Sequence, residues 1–252
     1  MAGETGAQRP KYQRIADDLK AAIERGEYGP GDRLPGESAL AVQYEVAPLT
    51  ARQALKILRI EGLVETKRGA GARVITFRPL RRHGIQRIAR EQWGAGKSIW
   101  SADDDRPTAI ETSVDTAPVP AHIAGMLGLE EGELVCTRSR RFVLREEQRP
   151  VQLSTSYLPY ELVAGSAIMR VDTGEGGMYA RLAELGHTPV RAKEEARSRL
   201  PTAEEAEGLA MPLERPVIKL CRTVFDADGR AVEVNEMTLD SAAYILDYTF
   251  DL

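Results

Sequence analysis

The sequence predicts an α+β chain in two parts: a small helical unit closed by a hairpin, then a larger unit with helices against a mostly antiparallel sheet. Three observations predict it. Apolar residues recur at helical spacing up to about residue 60, and two short extended runs follow around a Gly69-Ala70-Gly71 turn. From Thr108 onward, strand-like runs alternate with short helical ones, and Asp228-Gly229 is a hairpin turn signal between two of them. Charge is also divided: residues 1–82 hold 15 Lys+Arg against 10 Asp+Glu, whereas the rest hold 19 against 28. A basic first part on an acidic remainder points to a polyanion as partner of the first part.

With 252 residues, 42% of them hydrophobic and 29% charged, the chain has the composition of an ordinary globular protein with a real core. Its two cysteines, Cys136 and Cys221, lie in apolar runs and are expected as buried thiols in a reducing compartment. No apolar run approaches the roughly 20 residues of a membrane span, and MAGETGAQRP lacks the apolar stretch of a signal peptide, so a cytoplasmic location with no membrane partner is expected.

The first helix is read from Pro10 to Gly26, with Tyr12, Ile15, Leu19, Ala22 and Ile23 on one stripe and Gly26 as the stop. GEYGPGDRLPGES is a turn-rich connector. A short helix over Glu37–Tyr44 and a tight turn at Glu45-Val46 lead to a third helix starting near Pro48, a residue suited to the first helical position. Ala47 has no side-chain acceptor to cap that helix. Its apolar stripe is Ala51, Ala54, Leu55 and Leu58. Arg52, Lys56 and Arg59 share another face beside Gln53, and Glu61 is the one acid nearby in sequence. Two helices joined by a tight turn, the second of them basic, make a helix-turn-helix whose second helix enters the DNA major groove. LVETKR-GAG-ARVI then reads as a wing: bare glycines allow close approach to the sugar-phosphate rail, and Lys67 and Arg68 neutralise phosphates. A nucleotide-binding glycine loop is excluded, because no helix follows the glycines to receive a pyrophosphate.

Tyr12-Gln13-Arg14-Ile15-Ala16, Pro30-Gly31-Asp32-Arg33-Leu34-Pro35, Arg52-Gln53-Ala54-Leu55 and Glu61-Gly62-Leu63-Val64 together resemble the winged-helix domain of the GntR family of bacterial transcription regulators over about residues 10–76. The chain departs from the family pattern at Gly36-Glu37-Ser38 and at Ala47-Pro48-Leu49-Thr50, where two arginines that commonly touch DNA are missing. The resemblance implies a winged domain over 8–77 with a DNA-binding set of Arg33, Glu37, Ser38, Leu49, Thr50, Arg52, Gln53, Lys67, Arg68, Gly69 and Gly71. Residues 78–92 are expected to be a linker.

In the second part, strands are read over 108–116, 133–145, 150–158, 189–199, 216–226 and 231–240, and helices over 120–128, 178–186 and 202–210. Thr202-x-x-Glu205 after Pro201 is a capping box. The run from Leu134 is unusual: one face carries Leu134, Cys136, Arg138, Arg140, Phe142 and Leu144. Two guanidiniums on an apolar face need something negative, either acids on neighbouring strands such as Glu233 or Glu236, or an anionic ligand.

Leu127-Gly128-Leu129, Arg138-x-Arg140, Ser156-Tyr157-Leu158-Pro159 and Asp226-x-Asp228-Gly229 look like the UTRA effector domain of the HutC subfamily, an α/β fold similar to chorismate lyase. The resemblance implies an effector-binding and dimerisation domain over 93–252 that takes sugar phosphates, amino acids or their derivatives, and by carry-over an effector set of Ser98, Arg138, Arg140, Ser154, Ser156, Tyr179 and Glu233. Ser154 and Thr155 replace an acid often found before the Ser-Tyr-Leu-Pro block.

Catalysis has little to stand on. His83, His122 and His187 are scattered, and there is no His-x-x-x-His, Cys-x-x-Cys or Gly-x-Ser-x-Gly. Arginines without a placed general acid or base bind but do not turn over. No metal or cofactor is expected. The expected partners are a double-stranded DNA operator, a small anionic effector such as a phosphosugar, and a second copy of the chain, in a ligand-responsive repressor. Two alternatives remain, a DNA-binding protein whose second domain only dimerises and a chorismate-lyase-like enzyme.

Overall fold

In the computed structural model, the described residues are 9–67, 71–75, 78–84, 106 and 108–249. They fall into two compact units, divided between Arg78 and Pro79.

The first unit contains α1 (Lys11–Glu24), α2 (Glu37–Gln43) and α3 (Pro48–Ile60), then β1 (Val64–Lys67) and β2 (Gly71–Val74). Ile15, Ala16 and Leu19 of α1, Leu40 of α2, and Ala51, Ala54, Leu55 and Leu58 of α3 form one core with Val64, Ala72 and Val74. Every stripe position read in the third helix is therefore buried. Gly26 (φ 78°) ends the first helical run, and Glu45 (φ 49°) takes the left-handed position in the α2–α3 turn. Ala47 caps α3 without a side-chain hydrogen bond, as the sequence indicates. β1 and β2 pair antiparallel from Val64↔Val74 to Lys67↔Gly71, which makes the expected hairpin. The Gly/Pro-rich connector does more than turn. The Leu34 amide donates to the Ala72 carbonyl and the Gly31 amide to the Val74 carbonyl (each 2.9 Å), so this segment lies against β2.

The second unit is built on a six-stranded antiparallel sheet in the order β4-β5-β6-β9-β8-β7. Its strands are β4 (Thr108–Pro118), β5 (Leu134–Leu144), β6 (Arg149–Pro159), β7 (Arg191–Arg199), β8 (Val217–Phe225) and β9 (Ala231–Asp240). The six strands expected in this part all occur and make up this sheet, with ends displaced by up to two residues. The helices are α4 (Ala121–Leu127), α5 (Tyr160–Val163), α6 (Gly177–Glu184) and α7 (Ala203–Gly208), with a 3-10 turn over Ala167–Met169. The capping box is present: Thr202 Oγ1 accepts from the Glu205 amide, and the Glu205 carboxylate accepts from the Thr202 amide. One face of the sheet packs Cys136, Leu158, Val224 and Val232 against Val163, Ile168, Tyr179 and Leu182. The opposite face packs Val135 and Val234 against Ile123, Ala124 and Leu127 of α4.

Beyond the short helix α5 and the 3-10 turn, two strands lie outside the sequence reading. β3 (Leu80–Arg82) pairs in parallel with β10 (Tyr244–Leu246), so the stretch expected as a linker contributes a strand to the second unit. Nothing in three residues rich in arginine signals a strand whose partner lies some 160 positions away in the chain.

Candidate functional site

On the first unit, α3 turns Leu49, Arg52, Gln53 and Lys56 outward, and Leu49 is 62% exposed. Arg33 and Ser38 are exposed, and Glu37 and Thr50 are half-buried. The basic row on α3 has an acidic neighbour from another helix: Arg52 Nε and Nη2 each lie 2.9 Å from Glu37 Oε2 of α2. The sequence pointed to Glu61 as the neighbour of that basic row, yet Glu61 holds Lys20 of α1 at 2.6 Å. Arg33 lies under the wing. A side chain on Gly71 (φ 74°) would meet its Nε at 3.1 Å, so glycine is needed there twice over, for conformation and for space. Arg68, Gly69 and Ser98 lie outside the described residues; Lys67 closes β1.

On the second unit, Arg138, Arg140, Ser154, Tyr179 and Glu233 line one cavity of about 470 Å³, within the range of small-molecule sites. The reason is register. Arg138↔Ser156, Arg140↔Ser154, Ser156↔Asn235 and Ser154↔Met237 are cross-strand partners, so strand alternation places all of them on one face. The floor is a buried polar network. Ser156 Oγ donates to Glu233 Oε1 and Tyr179 Oη to Glu233 Oε2, both at 2.7 Å. Asn235 Nδ2 donates to Ser156 Oγ (3.1 Å), Asn235 Oδ1 accepts from Ser154 Oγ (2.9 Å), and Arg140 Nη1 donates to Ser156 Oγ (3.1 Å). Burial pushes the Tyr179 phenol well above its ordinary range, so it is a donor here.

The two arginines do different jobs. Arg138 meets neither Glu233 nor Glu236 in a hydrogen bond. Its guanidinium donates instead to the carbonyls of Ile168 (2.5 Å), Arg170 and Val171 (3.0 Å), pinning the strand to the segment that leads into the cavity wall. Carbonyl dipoles solvate that charge only partly. Burial, and then repulsion from Arg140, lower its pKa to about 10. Arg140 keeps its head toward the cavity, and burial lowers its pKa also.

Sequence reasoning missed Arg222 and Asn235. Arg222 of β8 is 5% exposed, lies 3.8 Å from Glu233 Oε2 and places its guanidinium carbon 5.8 Å from the Tyr179 ring centroid; its Nε has no hydrogen-bond partner among the described residues. The signal was available: Leu220, Arg222 and Val224 alternate on one face, as Cys136, Arg138 and Arg140 do. Residues 171–178 form one wall, running into the first turn of α6, where Gly176 (φ 75°) caps the helix without a side-chain bond, and Ile110, Thr112, Phe142 and Gln152 line another part. Arg140 and Arg222 thus confront a single floor carboxylate, and an uncapped helix N-terminus faces the same space. Asp172 and Glu175 sit on the loop side.

Comparison with known proteins accords with this architecture. Residues 11–74 match the model of the bacterial regulatory proteins, gntR family, and residues 103–245 match the UTRA domain model, which alone spans more than half the chain. An uncharacterized HTH-type transcriptional regulator of Streptomyces coelicolor is 33% identical over 234 residues, covering 89% of this chain and 86% of that protein. The HTH-type transcriptional repressor PhnF of Mycolicibacterium smegmatis is 30% identical over 88% of this chain and 85% of its own length. Among solved structures, a GntR-family transcriptional regulator superposes with a TM-score of 0.64 at 26% identity, covering 97% of this chain and 98% of that one. These relatives are regulators of transcription, not enzymes.

Proposed function

Because the chain belongs to the GntR family of bacterial regulators and carries a UTRA domain, we propose that it is a repressor of the HutC type, in which a small anionic effector controls the grip on DNA. Arg52, Gln53 and Thr50 of α3 read base edges. Arg33, Lys67 and Arg68, with the backbone at Gly69 and Gly71, hold phosphates, and Glu37, Ser38 and Leu49 border that surface. Two copies related by a two-fold axis present two reader helices to an inverted-repeat operator. The repressor role draws support from the name of the Mycolicibacterium relative.

The observation that carries the effector reading is the cavity itself: Arg140 and Arg222 line it from the sheet, where a guanidinium fork suits a carboxylate or phosphate, while the acids that line it are divided between Glu233 on the floor and Asp172 and Glu175 on the loop side. The test is isothermal titration of the full chain with phosphate and carboxylate compounds, phosphosugars included, followed by gel shifts on DNA from upstream of its own coding region. Expected are saturable anion binding, its loss in Arg140→Ala, and an anion-dependent change in mobility; an anion that binds equally well to Arg140→Ala sinks the reading.

A further inference from the structure

One register row crosses the sheet through the cavity: Glu194 of β7 faces Arg222 of β8, which faces Asn235 of β9, which faces Ser156 of β6. At its β7 end, the Glu194 side chain is 3% exposed and grips Arg82, which is fully buried, through two bonds of 2.7 and 2.6 Å. Arg82 also reaches Met237 Sδ at 3.9 Å, and Met237 lines the cavity. Arg82 is the last residue of β3, which begins two residues after the first unit ends at Arg78.

The same short segment is strapped from the other side. The Asp247 amide donates to the Arg82 carbonyl (2.9 Å), Tyr248 Oη donates to Glu194 Oε1 (3.4 Å), and a side chain on Gly84 would collide with the Tyr248 ring at 2.7 Å. The chain leaving the first unit is thus anchored by a buried pair whose acid neighbours a cavity cation and whose base touches a cavity thioether. Anything that changes the charge beside Arg222, or presses on Met237, acts on that anchor.

We propose that the Arg82–Glu194 pair is the positioning contact that carries cavity occupancy to the segment entering the DNA-binding unit. This rests on reading the cavity as an effector site. A purely structural pair would hold β3 whatever the cavity contains.

The test uses the full chain and needs no identified ligand. Thr112→Trp, and Ile110→Trp as a second version, fill the cavity from β4, whose Thr112 and Ile110 line it. Amide exchange at residues 80–84 and 244–248, and affinity for duplex from upstream of the coding region, are measured in wild type, Glu194→Gln and Arg82→Lys. Arg82→Lys keeps a charge in place should Glu194→Gln fail to fold. The expected result is that filling the cavity changes exchange at 80–84 at least tenfold and duplex affinity at least fivefold in the wild-type background, and each less than twofold when the pair is altered. Equal effects in all backgrounds overturn the proposal, as does no effect in wild type. Titration with inorganic phosphate is run in parallel. If phosphate fails to bind while the tryptophan effect disappears with the pair, the anionic reading of the cavity falls and the coupling stands.

Discussion

At the scale of the residue, exposure decides how much a contact matters. The Arg52–Glu37 pair is largely solvent-facing, with side chains 65% and 38% exposed, so screening leaves it a weak contact in the free protein. Glu37→Ala should therefore barely move the melting temperature. Arg52→Ala should relax base preference at one operator position, at a cost of about 1–3 kcal/mol per lost bidentate contact, as read by binding to a panel of single-base variants. Gly71→Ala differs in kind. It forces φ 74° on an alanine and drives a methyl to 3.1 Å from Arg33 Nε, so it should cost about 1–2 kcal/mol of stability and weaken binding to every duplex alike. In the cavity the two arginines should part company. Arg140→Ala removes the proposed anion contact and should leave the melt near wild type. Arg138→Ala leaves the buried Ile168 carbonyl and the part-buried Arg170 and Val171 carbonyls without this donor and should lower stability by about 1–3 kcal/mol while speeding exchange along residues 168–171.

At the scale of the element, α7 offers a pH test. Glu205 caps it, pairs with Arg199 at 2.6 Å and accepts from Thr238 Oγ1 at 3.1 Å. Arg199 first, and then the Thr202 amide and Lys219, outweigh burial and lower its pKa from 4.5 to about 2. A carboxylate depressed in the folded state stabilises fully above its unfolded pKa, and that stability drains away as pH falls from about 4.5 to about 2. Glu205→Gln should thus cost up to about 3 kcal/mol at neutral pH, and melts recorded at falling pH should show the two proteins converging across that window. The same capping box was legible in Thr202-x-x-Glu205, because a cap is a local device. Register on β5 was legible too, since strand alternation alone fixes which of Arg138, Arg140 and Phe142 share a face. What stayed hidden depends on distant partners: β3 with β10, Arg82 with Glu194, and the carbonyls at 168–171 that answer Arg138. No spacing rule encodes a contact whose other half is a backbone oxygen thirty residues away.

At the scale of the whole molecule, the uneven charge acquires a purpose. A surplus of five cations over residues 1–82 favours the phosphate backbone, while an excess of nine acids over the rest keeps the effector unit from adhering to it. One winged domain alone offers few groove contacts for a rare site in a genome, so the proposed repressor gains specificity if two copies act together. That requirement is geometric and can be tested without knowing the effector. If two reader helices act through one two-fold axis, half-site spacing must match their separation to within a fraction of a helical turn. Inserting about 5 base pairs between the half-sites puts them on opposite faces of the duplex and should reduce affinity at least tenfold. Inserting about 10 restores the face but not the distance, and should recover only what the linking segments can stretch to supply. A chain that bound each half-site independently would give the same affinity for all three spacings and a 1:1 complex on a single half-site, so gel shifts on the series, with stoichiometry from sedimentation, decide between the two. In the proposed paired arrangement a change at Arg82 should alter operator affinity, because a contact that repositions the connecting segment matters when two domains must meet one fixed spacing.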